Sequence, residues 1–205
     1  PEGASGLAFD GVYLYCGIYG ANGNEVYQID PTDGSYQLLF TNPVIEDCFG
    51  MTYDGNNLWI TDHPGSSSIP AVAYKLDMSG NIVSQMNLPD HYMSGIAYDN
   101  GNFWAATYYD PDGHIYKLNS MGFILQDFTA PDNQPWDLCI ENEKLWIDTR
   151  LTEEEMDFLW SATSVGSRGI LSGGYPLPFW VLYRSTCRFH WLKTNTAIGS
   201  TNILW

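Results

Sequence analysis

The sequence predicts an all-β protein, a β-propeller whose blades are four-stranded antiparallel sheets. A repeat of about 44 residues covers residues 1–149. Each copy is rich in Ile, Val, Tyr and Trp, and its apolar residues alternate with polar ones or form short runs, which is typical of short strands. The copies show no helical periodicity, which disfavours ankyrin and tetratricopeptide solenoids of similar period.

The first half of the repeat occurs four times, starting at residues 6, 50, 95 and 137. The copies read GLAFDG, GMTYDG, GIAYDN and DLCIEN, and each leads to a second apolar run. The Asp-Gly and Asn-Gly pairs predict a tight hairpin, because such turns need residues that tolerate positive φ. The second run contains one aromatic residue per copy, which we expect to wedge between neighbouring blades: Tyr15, Trp59, Trp104 and Trp146.

The second half of the repeat follows the first three copies and reads VYQID, AYKLD and IYKLN. A turn with Gly34, Gly80 or Gly122 comes next, and then a fourth strand-like run. Each complete copy therefore predicts four antiparallel strands. Because a single blade cannot bury both of its faces, we expect the blades to stack around a common axis.

These motifs resemble the bacterial propellers related to NHL repeats, the gluconolactonase (regucalcin-like) family and the streptogramin-lyase-like propellers. The patterns that carry the resemblance are G-[LMI]-[AT]-[FY]-D-[GN], L-W-I-[TD] and Y-K-L-[DN]-x-x-G, within residues 1–149. The resemblance implies six or seven blades and, in the lyases and lactonases, a metal ion or a catalytic His on the central face. No position in this chain matches those functional residues, so the resemblance specifies a fold and not a reaction.

The repeat ends before the chain does. Six such blades need about 265 residues, so the 205-residue chain is expected to be a partial or truncated propeller, with three full copies and the start of a fourth in residues 1–149. Residues 1–149 carry 20 acids and 3 bases, whereas residues 150–205 carry 4 acids and 5 bases. Three interpretations of this non-propeller tail stay open: out-of-frame or misassembled sequence, a diverged capping segment, or a separate small domain.

The composition excludes several kinds of partner. A net charge of −16 argues against nucleic acid and anionic membrane surfaces, which need basic patches. No apolar run reaches the roughly 18 residues that a membrane span requires. The chain begins at Pro1 without Met or a signal peptide, so we expect a mature or truncated piece. The resemblance and the low Lys content imply an extracytoplasmic location, which means secreted, periplasmic or on the cell surface.

Ligands of propellers bind where the loops leading into the inner strands meet the cross loops that join strands two and three. The repeat places the leading loops at residues 1–5, 43–49, 89–94 and 131–136. It places the cross loops at residues 17–25, 62–71, 106–113 and from 148 on. The predicted ligand-binding residues in these loops are Glu46, Asp47, His63, Asp90, His91, Tyr92, Tyr109, Asp110, Asp132 and Trp136.

Acids mixed with His and aromatic residues suit either a divalent cation such as Ca²⁺ or a sugar or peptide stacked on a ring. The alternative is that the loop acids are simply solvated. His63 and His91 are the strongest acid–base candidates because His titrates near neutral pH, although a loop His is commonly a bystander. Cys16 and Cys139 occupy positions of small apolar residues in other copies and are predicted to be buried.

From these observations we predict a non-enzymatic binding or scaffold propeller of a bacterial surface or secreted protein. Its expected partner is a protein, peptide or glycan on one propeller face, and no catalytic residue is predicted. Two alternatives stay open. One is a metal-dependent lactonase or hydrolase of the gluconolactonase type, in which carboxylates from several blades hold the cation. The other is a purely structural repeat module.

Overall fold

A computed structural model describes most of the repeat region and a few strands of the tail. The described residues are 3–19, 25–63, 68–108, 113–130, 134–141, 144–149, 162–163, 180–185 and 188–189, with side chains described as far as residue 147. All regular elements within these ranges are strands, which confirms the all-β prediction. In this part of the chain no helix is long and apolar enough to cross a lipid bilayer.

The strands form four separate sheets, one for each copy of the repeat. Sheet 1 contains β1 (Ala4–Phe9), β2 (Leu14–Ile18), β3 (Glu25–Ile29) and β4 (Tyr36–Thr41). Sheet 2 contains β5 (Met51–Tyr53), β6 (Leu58–Asp62), β7 (Val72–Leu76) and β8 (Ile82–Asn87). Sheet 3 contains β9 (Met93–Asp99), β10 (Asn102–Thr107), β11 (His114–Asn119) and β12 (Ile124–Thr129). In each of these sheets neighbouring strands follow chain order and pair antiparallel.

The hairpins form where the Asp-Gly and Asn-Gly pairs predict them. Asn100 and Gly101 alone join β9 to β10, with φ of 48° and 91°, so both turn residues have the left-handed backbone that this tight hairpin needs. In sheet 2 the turn is held by the Asp54 carboxylate, whose Oδ1 accepts hydrogen bonds from the backbone N–H groups of Asn56 and Asn57 at 3.0 and 2.8 Å. The local sequence therefore fixes the register of the two inner strands.

Consecutive sheets bury their apolar faces against each other, as the stacking argument predicts. Tyr15 of sheet 1 lies in one core cluster with Met51, Leu58 and Ile60 of sheet 2. Across the next interface the ring of Trp59 lies 4.6 Å from that of Phe103, measured between centroids. A third cluster joins the aromatic wedge of sheet 3 to sheet 4, and it includes Trp104, Leu138, Leu145 and Ile147. Three of the four predicted wedges are therefore confirmed.

The inner strands approach each other closely at two glycines. A Cβ atom on Gly50 would lie 2.4 Å from the carbonyl oxygen of Ser94, and one on Gly95 would lie 2.6 Å from the Cα atom of Asp137. Only a residue without a side chain fits such contacts between backbones. The close approach brings the loops before β5, β9 and the next inner strand together at one end of the sheets.

Sheet 4 departs from the repeat. Its first two strands, β13 (Asp137–Glu141) and β14 (Lys144–Thr149), form the expected antiparallel pair. The tail then contributes β15 (Ala162–Thr163), β16 (Trp180–Ser185) and β17 (Arg188–Phe189). β16 pairs with β14 in parallel, whereas the third strand of the other sheets is antiparallel to the second. The domain boundary near residue 149 and the three interpretations of the tail stay predictions.

One cysteine prediction is confirmed and one is wrong. Cys16 is buried, whereas Cys139 is exposed. The position of Cys139 corresponds to that of Ala97, which is buried because it lies in the cluster between sheets 3 and 4. Cys139 lies in sheet 4 outside that cluster, so the same repeat position is not buried there.

Candidate functional site

The sheets have two chemically different ends. At the hairpin end lie the turns that join the first strand to the second and the third strand to the fourth. At the loop end lie the residues that precede each first strand and those that follow each second strand. The pairing of Ala4 with Ile18 and of Gly17 with Val26 shows that these segments of sheet 1 meet at one end. All ten predicted ligand-binding residues belong to loop-end segments by sequence.

A continuous series of aromatic rings crosses the loop end. Tyr19, after β2, lies 5.1 Å from Phe49, before β5, measured between ring centroids. Phe49 stacks on Tyr108, after β10, at 5.3 Å with an angle of 18° between the ring planes. Tyr108 lies 5.4 Å from Trp136, before β13. The series therefore joins residues from all four sheets.

Two histidines and one more tyrosine extend this series. The imidazole of His63 lies 5.5 Å from the ring of Phe49 and stacks on Tyr92 at 5.5 Å and 17°. Tyr92 also lies 5.6 Å from Tyr108 and 4.1 Å from the imidazole of His91. We call this set the aromatic face, and its members are Tyr19, Phe49, His63, His91, Tyr92, Tyr108 and Trp136.

Most of the aromatic face is accessible from solvent. Tyr19 is 49% exposed, whereas His63 is only 8% exposed and lies beneath its neighbours. The other five members are half-buried. Because each ring contacts at least one other ring, the side chains are held in place, while part of every ring except that of His63 stays open to solvent.

The backbone explains why the rings stand at the edge of the sheets. Tyr19, His63 and Tyr108 each follow the last residue of a second strand directly. The backbone N–H of Tyr19 donates to the carbonyl of Gly3 at 2.8 Å, and that of Tyr108 donates to the carbonyl of Tyr92 at 2.9 Å. These hydrogen bonds continue the strand pairing by one step and fix where each ring leaves the sheet.

Asp62 organises the leading loop of sheet 2. It is buried, its Oδ1 accepts the backbone N–H of Asp47 at 2.9 Å and its Oδ2 accepts that of Glu46 at 3.4 Å. Burial raises the pKa of the Asp62 carboxyl, and the negative charges of Glu46 and Asp47 raise it further, although the two backbone N–H groups oppose this. Asp62 therefore positions two predicted ligand-binding residues, one exposed and one half-buried.

Asp90 has the same role beside His91. Its Oδ1 accepts the backbone N–H of Tyr92 at 3.1 Å and lies 2.9 Å from Nδ1 of His91. Both side chains keep part of their surface in solvent, with 31% exposure for His91 and 25% for Asp90. The carboxylate therefore holds the imidazole against Tyr92 and sets the direction in which Nε2 points.

The hydroxyl of Tyr108 stays protonated at neutral pH. Burial raises the pKa of Tyr108, and the neighbouring Tyr92, Tyr19 and Asp47 raise it further. These contributions show that a carboxylate and three phenols share one electrostatic environment. The loop end therefore offers ring surfaces, neutral O–H groups and carboxylate oxygens.

Seven of the ten predicted ligand-binding residues lie at the loop end in the structure. They are Glu46, Asp47, His63, Asp90, His91, Tyr92 and Trp136. Tyr109, Asp110 and Asp132 lie outside the described residues. The structure brings His63, His91, Tyr92 and Trp136 into the aromatic face, while the ligand-binding role of all ten stays a prediction.

Sequence reasoning missed Tyr19 and Phe49, and it placed Tyr108 in a cross loop without including it among the predicted ligand-binding residues. A signal for two of them was present, because the residue five positions after the start of the second apolar run is a ring in three copies. That position holds Tyr19, His63 and Tyr108. Phe49 has no such signal. The residue that precedes the first glycine of the repeat is Ser5 in the first copy and Ser94 in the third, and neither has an aromatic ring.

The described residues do not contain a metal site. Within the ranges that the structure describes, no group of three His, Cys, Asp or Glu side chains is arranged to hold an ion. Both oxygens of Asp62 face backbone N–H groups, which does not suit a cation ligand. A divalent cation such as Ca²⁺ stays a prediction that involves residues outside these ranges.

The hairpin end carries a different set of polar groups. Oδ2 of Asp54 accepts the indole N–H of Trp59 at 2.8 Å and lies 2.9 Å from the ammonium of Lys75. Sheet 3 repeats this unit with Asp99, Trp104 and Lys117, at 3.2 and 3.3 Å. The two ammonium groups also lie 5.5 and 4.9 Å from the centroids of their tryptophan rings. Each unit ties a turn, a second strand and a third strand together.

The burial and partners of Asp54 determine its ionisation. Burial raises the pKa of this carboxyl, but hydrogen bonds from Lys75, Trp59 and the turn backbone outweigh it and lower the pKa to about 2. Sheet 1 has a variant of the unit, in which the hydroxyl of Tyr15 donates to Asp10 at 2.7 Å. These side chains are therefore occupied within the fold.

The four sheets and their open loop end define the class: the protein is a β-propeller. No family model matches the chain, and no curated protein matches it. The chain is similar to glutaminyl cyclase of Myxococcus xanthus, with 14% identity and a TM-score of 0.54 over 70% of this chain and 66% of that one.

Two further solved structures are similar at lower scores. One is a chain of the nidogen–laminin complex, with 16% identity and a TM-score of 0.49 over 71% of this chain and 55% of that one. The other is a Bacteroides caccae protein of unknown function, with 11% identity and a TM-score of 0.49 over 78% and 61%. This chain spans less than two thirds of all three proteins. The similarity to the glutaminyl cyclase, at 14% identity, supports the propeller fold alone.

Proposed function

We propose that this propeller is a non-enzymatic binding module whose aromatic face binds a protein, peptide or glycan. The observation that carries the proposal is the continuous ring series from Tyr19 to Trp136, to which all four sheets contribute. A scaffold without a ligand has no need to gather loop residues from four sheets into one accessible surface.

The physical character of the rings supports binding. Aromatic side chains combine a large apolar surface with a polar edge, and for this reason Tyr and Trp are enriched in interfaces and often dominate their energetics. The contacts among Phe49, Tyr108 and Trp136 restrict their rotamers before any ligand arrives. Binding therefore loses less side-chain entropy than it would on isolated surface rings.

The polar groups beside the rings favour binding over a reaction. The oxygens of Asp62 accept backbone N–H groups, and Asp90 holds the imidazole of His91 in place. Both carboxylates therefore act on the structure of the site. The proposal includes two further statements: the module has no catalytic residue, and it lies outside the cytoplasm. The proposed location rests on the family resemblance and on the small number of lysines.

A binding screen with matched variants tests the proposal. The wild-type chain is applied to peptide and glycan arrays, and each ligand found is titrated against Tyr19→Ala and Tyr108→Ala. The control is Phe123→Ala, since Phe123 is a 64% exposed ring at the hairpin end of sheet 3. We expect a loss of about tenfold or more in affinity for the two loop-end variants and no change for the control.

Circular dichroism of each variant checks that the sheets are intact before binding is compared. A triple variant with Asp47→Asn, His91→Ala and Trp136→Ala removes more of the site and should abolish binding. Equal affinities of the triple variant and the wild type, or no ligand in either array, would refute the proposal.

A further inference from the structure

Consecutive sheets of the chain meet through two different faces. The face that carries the aromatic wedge, such as Trp59 in sheet 2, is called the wedge face. The face of the following sheet on which that wedge packs is called the receiving face, and in sheet 3 it includes Phe103, 4.6 Å from Trp59 between ring centroids. Sheets 1 and 2, sheets 2 and 3, and sheets 3 and 4 all meet in this way.

Strand pairing defines the receiving face of sheet 1. Two rows of paired residues run across its four strands, and all of these residues are aliphatic, aromatic or cysteine. The rows are Phe9, Leu14, Ile29 and Tyr36, and Leu7, Cys16, Tyr27 and Leu38. Because residues paired across strands lie on the same side of a sheet, all eight belong to one face. Tyr15, the wedge of this sheet, lies between Leu14 and Cys16 in β2 and therefore on the opposite face.

In sheet 1 the receiving face is exposed, whereas in the other sheets it is largely buried. Leu7 is 41% exposed, but the equivalent residues Met51, Ile96 and Leu138 are at most 4% exposed. Phe9 is 54% exposed. The difference arises because the preceding sheet packs on these positions in sheets 2, 3 and 4. Sheet 1 therefore presents to solvent an apolar surface that the fold buries between its other sheets, and contiguous surfaces of this kind mark interaction sites.

Sheet 4 shows the complementary feature on its wedge face. Cys139 pairs with Trp146, the wedge residue of this sheet, so both belong to the wedge face. The equivalent Ala8 and Ala97 of sheets 1 and 3 are buried in the clusters that join those sheets to the next one. Cys139 is exposed instead. A position that the repeat buries against a following sheet is therefore open to solvent in sheet 4.

From this repetition we infer that two copies of the chain associate head to tail, so that the wedge face of sheet 4 in one copy packs on the receiving face of sheet 1 in the other. The contact is of the same kind as the one that joins consecutive sheets within the chain. A two-fold axis repeats it in the opposite direction, and the four sheets of each copy then close into one ring. The resulting number of blades is within the range of about four to eight that is typical of propellers. The inference is independent of the ligand of the aromatic face.

The receiving face of sheet 1 selects an apolar occupant. It carries no Asp, Glu, Lys or Arg that could pair with a charged partner, so its burial is favoured by the removal of apolar surface from water. A wedge face supplies the aromatic ring that the receiving faces of the other sheets accept. If two copies met through their receiving faces instead, no wedge would enter the interface, and Cys139 of sheet 4 would stay exposed.

The interface between sheets 2 and 3 indicates which residues of the two copies meet. There the hydroxyl of Thr52 accepts the backbone N–H of Tyr98 at 3.0 Å. Thr52 occupies the repeat position of Cys139, and Tyr98 occupies that of Phe9. We therefore expect Cys139 of one copy to lie against Phe9 of the other.

Sedimentation equilibrium with the whole chain measures its mass and the dissociation constant of the dimer. We expect a mass of twice 23.0 kDa at chain concentrations of about 100 μM. Because the contact is apolar and each copy has a net charge of −16, affinity should not fall as NaCl rises from about 50 mM to about 500 mM. A monomer at both salt concentrations would overturn the inference.

Phe9→Lys tests the receiving face, since it places a charge where the wedge face should pack. Its control is Phe123→Lys, the same change at an exposed ring of the β11–β12 turn. We expect Phe9→Lys to raise the dissociation constant at least about tenfold and Phe123→Lys to leave it nearly unchanged. Circular dichroism checks that both variants keep their sheets. Equal dissociation constants for the two variants would overturn the inference, because the association would then not involve sheet 1 specifically.

A mixing experiment tests whether sheet 4 is the partner of sheet 1. Cys139→Glu alone should also dissociate the dimer, because it places a carboxylate against Phe9. A mixture of Phe9→Lys chains and Cys139→Glu chains should form dimers again, since one interface then joins the two introduced charges and the other interface is unchanged. If Cys139→Glu stays dimeric, or if the mixture stays monomeric, the head-to-tail contact is wrong.

Discussion

The two ends of the sheets use the same residue types for opposite purposes. At the hairpin end, carboxylates, rings and ammonium groups satisfy one another within a sheet, as Asp54, Trp59 and Lys75 do. At the loop end, carboxylates and rings recur without Lys or Arg among the described side chains. The comparison indicates that the hairpin end stabilises each blade, whereas the loop end is the surface that we propose for binding a partner.

The repeat shows the same contrast along the sequence. The hairpin-end units recur at equivalent positions in sheets 2 and 3 because each of these blades forms the same turn and packs its second strand against its third in the same way. At the loop end each sheet contributes different residues, for example Phe49 and His63 from one and Tyr92 and Tyr108 from the next. Residues that vary between copies on a repeated scaffold are the ones available for recognition.

The largest expected effect is on stability, at the hairpin end. Asp54→Ala leaves the indole N–H of Trp59, the ammonium of Lys75 and two turn N–H groups without their acceptor. We expect the free energy of unfolding to fall by about 3 kcal/mol in urea titrations, because one partner of a mostly buried ion pair is lost. Ligand affinity of the folded fraction should not change.

The control for this variant is Asp33→Ala, which removes an exposed turn carboxylate that accepts the backbone N–H of Ser35. Its expected cost is much smaller than that of Asp54→Ala, because solvent can replace this exposed hydrogen bond. A loss of similar size in both variants would show that the Asp–Trp–Lys unit has no special role.

A smaller effect on stability, coupled to an effect on binding, is expected at the inner strands. Gly95→Ala places a Cβ atom 2.6 Å from the Cα atom of Asp137, so sheet 4 must shift away from sheet 3. We expect a loss of about 2 kcal/mol in the free energy of unfolding and weaker ligand binding, because Trp136 moves with Asp137. Unfolding titrations and peptide binding measure the two effects.

Gly55→Ala is the matched change at a hairpin turn. Gly55 has a φ of +100° and no atom within 4 Å of an added Cβ, so this variant costs backbone strain of about 1 kcal/mol without moving a neighbour. Its binding should be unchanged. If Gly95→Ala binds as tightly as Gly55→Ala, the aromatic face does not depend on the packing of the inner strands.

The smallest expected effect is a difference in pH dependence between Asp54 and Asp62. Asp54 has a folded-state pKa of about 2, below the unfolded value of 3.8, so its ionisation stabilises the fold above about pH 4 and that stability is lost as pH falls through about 2. Asp62 has a raised pKa, so its ionisation opposes folding, and this cost disappears as pH falls through its folded-state pKa.

Asn variants at both positions make the two signs visible in unfolding titrations between pH 2 and pH 7. Relative to wild type, Asp54→Asn should become less stable as pH rises through this window, and Asp62→Asn should become more stable. If the stability difference from wild type changes in the same direction with pH for both variants, the proposed electrostatic difference between the two ends is wrong.

The fold was predictable because the information is local and repeated. The Asp-Gly and Asn-Gly turns and the apolar runs around Tyr15, Trp59 and Trp104 occur at fixed spacing, and each structural copy confirms the others. The exposure of Cys139 was not predictable from the repeat, because burial at that position depends on whether another sheet covers it. Equivalent positions in the repeat share the same local structure, but they do not predict whether a neighbouring sheet covers them.

The site was predictable as a region and not as a set of contacts. Assigning loops to one end gave Asp47, His91 and Trp136, but the ring series also needs Tyr19 and Phe49. Which rings touch depends on how closely neighbouring inner strands approach, and that distance is set by glycine contacts between sheets. No single copy of the repeat contains this information.

The most direct test of the difference between the two ends is a carboxyl NMR titration of Asp54 and Asp62. The pKa of Asp54 should lie near 2, because Lys75, Trp59 and the turn backbone stabilise its ionised form. The pKa of Asp62 should lie above 3.8, because burial disfavours its ionised form. An Asp62 pKa below 3.8, or an Asp54 pKa above it, would contradict the account.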